Sequence, residues 1–159
     1  MIRPTTLVAF TVLVAFTSAC GAPVDLKQGL QVTDVSSGWF DAGIQNGQNK
    51  LVPSVTFRLK KNPDVKLSSV SLNVAFMFTG SQDHADDVYV QSVPFEGNET
   101  KPIVVRTKWG YTGEAPQTRA EMLNHSKFRD MEAQIFAKQS SSQWVELQRA
   151  PVARQLLTQ

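Results

Sequence analysis

Three kinds of side chain in this sequence could do chemistry: a lone thiol, two imidazoles and a dense run of carboxylates. Asp83-His84-Ala85-Asp86-Asp87 places three acids and one imidazole within five residues. Oxygen-rich sets of this kind suit Ca²⁺ or Mn²⁺, and an added histidine suits transition metals. The spacing is not that of a twelve-residue calcium loop, and the glycine required at that loop's sharp turn is missing. The run also separates two strand-like stretches, where polar residues are ordinary. A solvated turn is therefore the expected reading, with a metal-binding Asp83–Asp87 loop as the alternative. His84 and His125 are the only histidines, and with one cysteine they cannot build a Cys/His zinc cluster. Neither a Gly-x-Ser-x-Gly elbow nor a His-Glu-x-x-His helix occurs. Gly110-Tyr111-Thr112-Gly113 lacks the lysine of a phosphate loop and reads as a glycine-rich turn. No catalytic, cofactor-binding or metal-binding residue is assigned, and the expectation is a protein that is not an enzyme.

The thiol is the more informative group. Cys20 follows an apolar run from Leu7 to Phe16, broken only by Thr11, with Arg3 ahead of it and Thr17-Ser18-Ala19 between. A positive start, an apolar stretch and small residues at the cut are the parts of a secretory signal. The run is about half the roughly twenty residues that span a bilayer as a helix. The order Ser18-Ala19-Cys20 resembles the lipobox of bacterial lipoprotein signals, in which the cysteine is lipidated and becomes the first mature residue. Thr17 stands where that pattern prefers Leu, which leaves open an ordinary cut after Ala19 and a free N-terminal thiol at Cys20. The resemblance implies a lipoprotein signal peptide over 1–19, lipidation at Cys20, and a lipidated N-terminus with a short linker over 20–28. It also implies a place in the bacterial cell envelope. Gly21 rather than Asp after the cysteine implies the periplasmic face of the outer membrane in a Gram-negative cell. The membrane is then a partner through the lipid. Each buried methylene contributes about 0.8 kcal/mol, so one acyl chain holds weakly and several hold durably.

Of 159 residues, 140 follow the leader, the size of one ordinary domain. A domain of this size buries about two-thirds of its surface without staples, and a lone cysteine allows no internal disulfide. The full sequence has 16 Lys and Arg against 14 Asp and Glu. This near balance argues against a nucleic-acid partner, which calls for a marked basic excess.

Period-two alternation dominates the domain expected over 29–159. Val55, Phe57 and Leu59 alternate with Thr56, Arg58 and Lys60; Val70 through Phe78 alternates with Ser69 through Met77. Each predicts a strand with one apolar face. The polar face of the second also carries Ala75 and Met77, which predicts partial cover by a strand, a loop or a partner. Weaker strands are expected at Leu30 to Val35, Val88 to Val93, Ile103 to Arg106, Glu132 to Lys138 and Trp144 to Leu147. Val152 to Leu157 fits a last strand or a helical turn. Asn46-Gly47, Asn62-Pro63, Gly80-Ser81, Gly97-Asn98 and Gly110 to Gly113 read as turns. One short helix is predicted from Pro116 to His125, with Pro116 first and Ala120 and Leu123 on its apolar face. The fold class expected is all-β: an immunoglobulin-like antiparallel β-sandwich of about seven or eight strands, with a closed barrel as the alternative.

Gly38-Trp39-Phe40-Asp41-Ala42-Gly43, then Leu51 through Lys60, and later Gly110 to Gly113, resemble small uncharacterised bacterial envelope lipoproteins with immunoglobulin-like folds. The likeness spans about residues 29–157 and carries no catalytic motif. It implies a fold and a location. Trp39, Phe40, Trp109 and Tyr111 are expected to close the ends of the core rather than form a recognition surface. Arg58, Lys60, Arg106 and Lys108 fall on polar strand faces and are expected to form a solvated charged face; a basic patch for anionic head groups is the alternative. The combined expectation is a membrane-anchored, non-enzymatic accessory or interaction module with an envelope protein as partner. The alternative is a periplasmic ligand- or metal-binding protein.

Overall fold

A computed structural model describes residues 24–157. The leader and Cys20 lie outside the described residues. The chain forms α1 (Leu26–Gly29), β1 (Leu30–Gln45), β2 (Gln48–Lys61), β3 (Ser69–Phe78), β4 (His84–Pro94), β5 (Ile103–Arg106), β6 (Tyr111–Glu114), α2 (Arg119–Leu123), β7 (Met131–Lys138), β8 (Val145–Val152) and β9 (Leu156–Leu157). Two sheets pack as an all-β sandwich. One has the order β5-β2-β1-β9, with β6 also on β2; the other runs β4-β3-β7-β8. The sheets are hydrogen-bonded separately, so the barrel alternative does not hold. Their strand pairs are antiparallel apart from β1 with the two-residue β9, which run parallel through Trp39 and Phe40.

Alternation builds the core as expected from β2 and β3. Leu51, Val55, Phe57 and Leu59 of β2 face Val70, Leu72, Val74 and Phe76 of β3, all buried. The β1–β2 hairpin closes through Asn46 and Gly47, both at positive φ (52° and 79°), as a two-residue primed turn requires. β1 is far longer than the Leu30 to Val35 stretch that its apolar residues mark. Register shifts after Thr33 and after Asp41, with Asp34 and Gly43 at positive φ, break its alternation. An extra residue in one strand moves the following side chains to the other face. Val32 and Trp39 are therefore both buried although their spacing is odd.

Three expectations differ from the structure. Gly110 to Gly113 is not only a turn: Tyr111–Glu114 is strand β6, paired with Gln48–Leu51. The helix covers five residues, not Pro116 to His125. A capping box sets its start. The Thr118 hydroxyl accepts the Glu121 N–H, and the Glu121 carboxylate accepts the Thr118 N–H. Its buried residues are Met122 and Leu123, while Ala120 is exposed. The segment read as linker already contains α1. Asp25 caps it, Leu26 is buried, and Lys27 donates from Nζ to the carbonyls of Glu146 and Leu147 at the start of β8. That contact occupies acceptors on an edge strand of the second sheet.

Candidate functional site

The acidic run lies mostly in strand β4, not in a loop, and its side chains diverge. Asp86 pairs in register with Phe76 and so shares the inner face. Its Oδ2 accepts the backbone N–H groups of Lys108 (2.8 Å) and Trp109 (3.2 Å), and its Oδ1 accepts that of Asp87 (2.9 Å). Asp87 points to the outer face, 3.4 Å from His84 Nδ1 and within reach of the Asn73 amide. Asp83 lies 3.4 Å from Arg129. Hydrogen bonding to Ser81, then to Arg129, holds its carboxyl below the ordinary value. Among the described residues no three His, Cys, Asp or Glu side chains gather as a metal site. His125 is not brought to His84; its Nδ1 accepts the Lys127 N–H.

The contacts of Asp86 have a cause in β2. Pro53 has no N–H to offer on the side where its carbonyl accepts the Thr107 N–H. The edge strand leaves the ladder there, between β5 at Ser54 and β6 at Leu51. Gly110 lies so close that a β-carbon on it would strike the Leu51 carbonyl oxygen. The N–H groups freed by this detour are taken by Asp86 from the opposite sheet. Asp86 therefore joins the two sheets along their shared edge.

Three of the four basic residues are held by local partners. Arg58 lies 3.4 Å from Asp34, and Lys60 lies 3.5 Å from Glu99. Arg106 stacks 3.6 Å from the centre of the Phe40 ring, opposite the buried Ser54. Trp39, Trp109 and Tyr111 close one end of the core as expected. Trp39 is fully buried, with ring centres 4.7 Å from Phe128 and 5.5 Å from Tyr111, and Trp109 stacks edge-on to both Tyr111 and Phe78. Phe40 departs from this group and lies on the outer face under Arg106.

Two features escape sequence reasoning. Tyr89 and Trp144 meet edge-on at 6.0 Å, 52% and 39% exposed, with Lys138 Nζ 4.7 Å from the Trp144 ring centre. Tyr89 pairs with Asn73, on the outer face of β3, and Trp144 reaches it from the β7–β8 connection. Only the parity of Tyr89 between Val88 and Val90 hints at this, and nothing local hints at Trp144. The second feature is a cavity of about 210 Å³ between β6 and the segment after α2.

Among the described residues no helix is long and apolar enough to cross a membrane. The described residues form a two-sheet β-sandwich with one end closed by aromatic rings around a cavity, and with the Tyr89–Trp144 pair exposed. No family model, no curated protein and no solved structure matches the sequence.

Proposed function

We propose that this protein is a membrane-anchored, non-enzymatic lipoprotein of the bacterial cell envelope that works as an accessory or protein-interaction module. The observation that carries this reading is the leader ending in Ser18-Ala19-Cys20. The helix cap at Asp25 supports close attachment, since only Gly21 to Val24 lie between it and the cysteine. Even fully extended, the span from Cys20 to Asp25 reaches less than about 20 Å. The domain would then stand against its membrane rather than on a stalk. Tyr89 and Trp144 support the interaction role, because exposed aromatic side chains with polar tips are favoured at contact surfaces.

Metabolic labelling with an alkyne fatty acid tests the anchor. The wild-type protein should carry label and fractionate with membranes; Cys20→Ser should lose both. Unlabelled, freely soluble wild-type protein, processed after Ala19, would overturn the proposal. Crosslinking in intact envelopes through Trp144 should then recover one specific protein, and a reproducible blank would count against the interaction role.

A further inference from the structure

We infer that the cavity beside β6 is a binding site for a small carboxylate with an apolar body. Its apolar wall is made by the Tyr111 and Phe128 rings and by Met122; its polar groups are Thr112, Gln117, His125 and Lys127. The latter are hydroxyl, amide, imidazole and ammonium groups, all able to donate, and among the described residues no carboxylate lines the space. The backbone fixes the imidazole. His125 Nδ1 accepts the Lys127 N–H at 3.2 Å, so a neutral ring carries its proton on Nε2 and donates from there.

The two acids of the adjoining surface cleft, which shares Gln117 and His125, hold hydrogen bonds of their own. Glu121 accepts the Thr118 N–H in the capping box, and Glu114 accepts the Gln48 amide. Lys127 forms no ion pair among the described residues. A lysine, an imidazole, an amide and a hydroxyl beside two aromatic rings complement an anion attached to an apolar group. The volume restricts the ligand further. About 210 Å³ is below the roughly 300–1,000 Å³ of pockets for drug-sized ligands, so one side chain with its carboxylate is the right scale. A free apolar acid and a polypeptide C-terminus ending in an apolar residue present this same chemistry.

The walls supply the readout. Trp39 stacks on both Phe128 and Tyr111, and Trp109 stacks on Tyr111. In the full-length protein carrying Trp144→Phe, which removes the remote indole, tryptophan fluorescence should change saturably with 3-phenylpropionate. Its uncharged amide should bind roughly tenfold more weakly, the scale of one charge-assisted hydrogen bond. Adding Lys127→Ala, at an exposed position, should weaken the acid by a similar factor, leave the amide unchanged and leave the unfolding midpoint in place. A tetrapeptide with a free C-terminal Phe that binds more tightly than the acid identifies a polypeptide terminus as the source; weaker binding identifies a free acid. Absence of saturation, equal binding of acid and amide, or acid binding indifferent to Lys127→Ala would overturn the inference.

Discussion

The two ends of the sandwich are closed by different chemistry. At the end where the polypeptide enters, lysines do the closing: Lys27 reaches the β8 carbonyls, Lys61 reaches the Leu67 carbonyl, and Lys60 and Lys101 pair with Glu99 and Glu96. These contacts are peripheral, and most are open to water. At the opposite end five aromatic rings, Trp39, Phe78, Trp109, Tyr111 and Phe128, pack in edge-on and tilted contacts. Arg154 closes over that cluster, 2.6 Å from Asp130 and within reach of the Leu123 and Phe128 carbonyls. The difference shows where a rigid site can be built. The cleft at the entry end, beside Val24 and Asn62, lies open to water, whereas stacked rings keep fixed walls around the smaller one. The cavity at the aromatic end inherits those walls.

The largest blow to this contrast is Trp39→Ala. A fully buried tryptophan removed from a packed cluster costs about 3–5 kcal/mol, read as a fall in ΔG of unfolding in urea. Trp39→Phe should cost much less than its lost volume implies. Among the described residues the indole N–H of Trp39 has no acceptor, and phenylalanine removes that buried donor. If Trp39→Ala costs under about 1 kcal/mol, far below the usual cost of such a truncation, the aromatic end is not the rigid one.

Next come the two side chains that hold stray backbone, one toward each end. Asp86→Ala strips acceptors from three N–H groups and should cost about 2 kcal/mol; Asp86→Asn, which keeps one oxygen, should cost roughly half. Lys27→Ala should cost under about 1 kcal/mol, because its two carbonyls are exposed and water replaces the ammonium. Its clearer effect should be concentration-dependent association through the uncovered β8 edge, measured by light scattering. A larger loss from Lys27→Ala than from Asp86→Ala would invert the contrast.

The same contrast explains which elements are legible in the sequence. Strands β2 and β3 can be read because Val55 to Lys60 and Ser69 to Val74 alternate strictly, and Asn46-Gly47 names its own turn. Beyond Val32, β1 is hidden, because the bulges at Asp34 and Gly43 reverse its faces. The α2 cap, Thr118-x-x-Glu121, is written in the sequence, yet Pro116 competes with it as a helix start. Asp83 to Asp87 is legible as a cluster of acids but not as a set of diverging side chains. That needs the register that sets Asp86 opposite Phe76 and the interruption at Pro53, thirty-three residues earlier. Tyr89 of β4 meets Trp144 only because the β7–β8 connection reaches back across the sheet β4-β3-β7-β8, and the cavity needs β6 and the post-α2 segment together. What stays hidden is non-local pairing, which composition does not carry.

The smallest effect expected is in acid. Hydrogen bonds lower the carboxyl pKa of Asp83 through Ser81 and Arg129, of Glu121 through the backbone and then the side chain of Thr118, and of Glu146 chiefly through Arg149. A group whose folded pKa is depressed adds stability that is complete above its unfolded value and lost as pH falls through the folded one. The urea midpoint should therefore change little through these groups from pH 7 to about 5, then fall as pH drops below the ordinary carboxylate range near 4. Asp83 and Glu121 belong to the aromatic end, and Glu146 to the end where the polypeptide enters. Asp83→Asn with Glu121→Gln should flatten the acid limb more than Glu146→Gln does. All three carboxyls are near the surface, so about 1 M salt should shrink the difference by screening the ion pairs while the Thr118 capping box persists. An acid limb flattened equally by both sets of variants would place the pH sensitivity outside either end and break the comparison at its weakest joint.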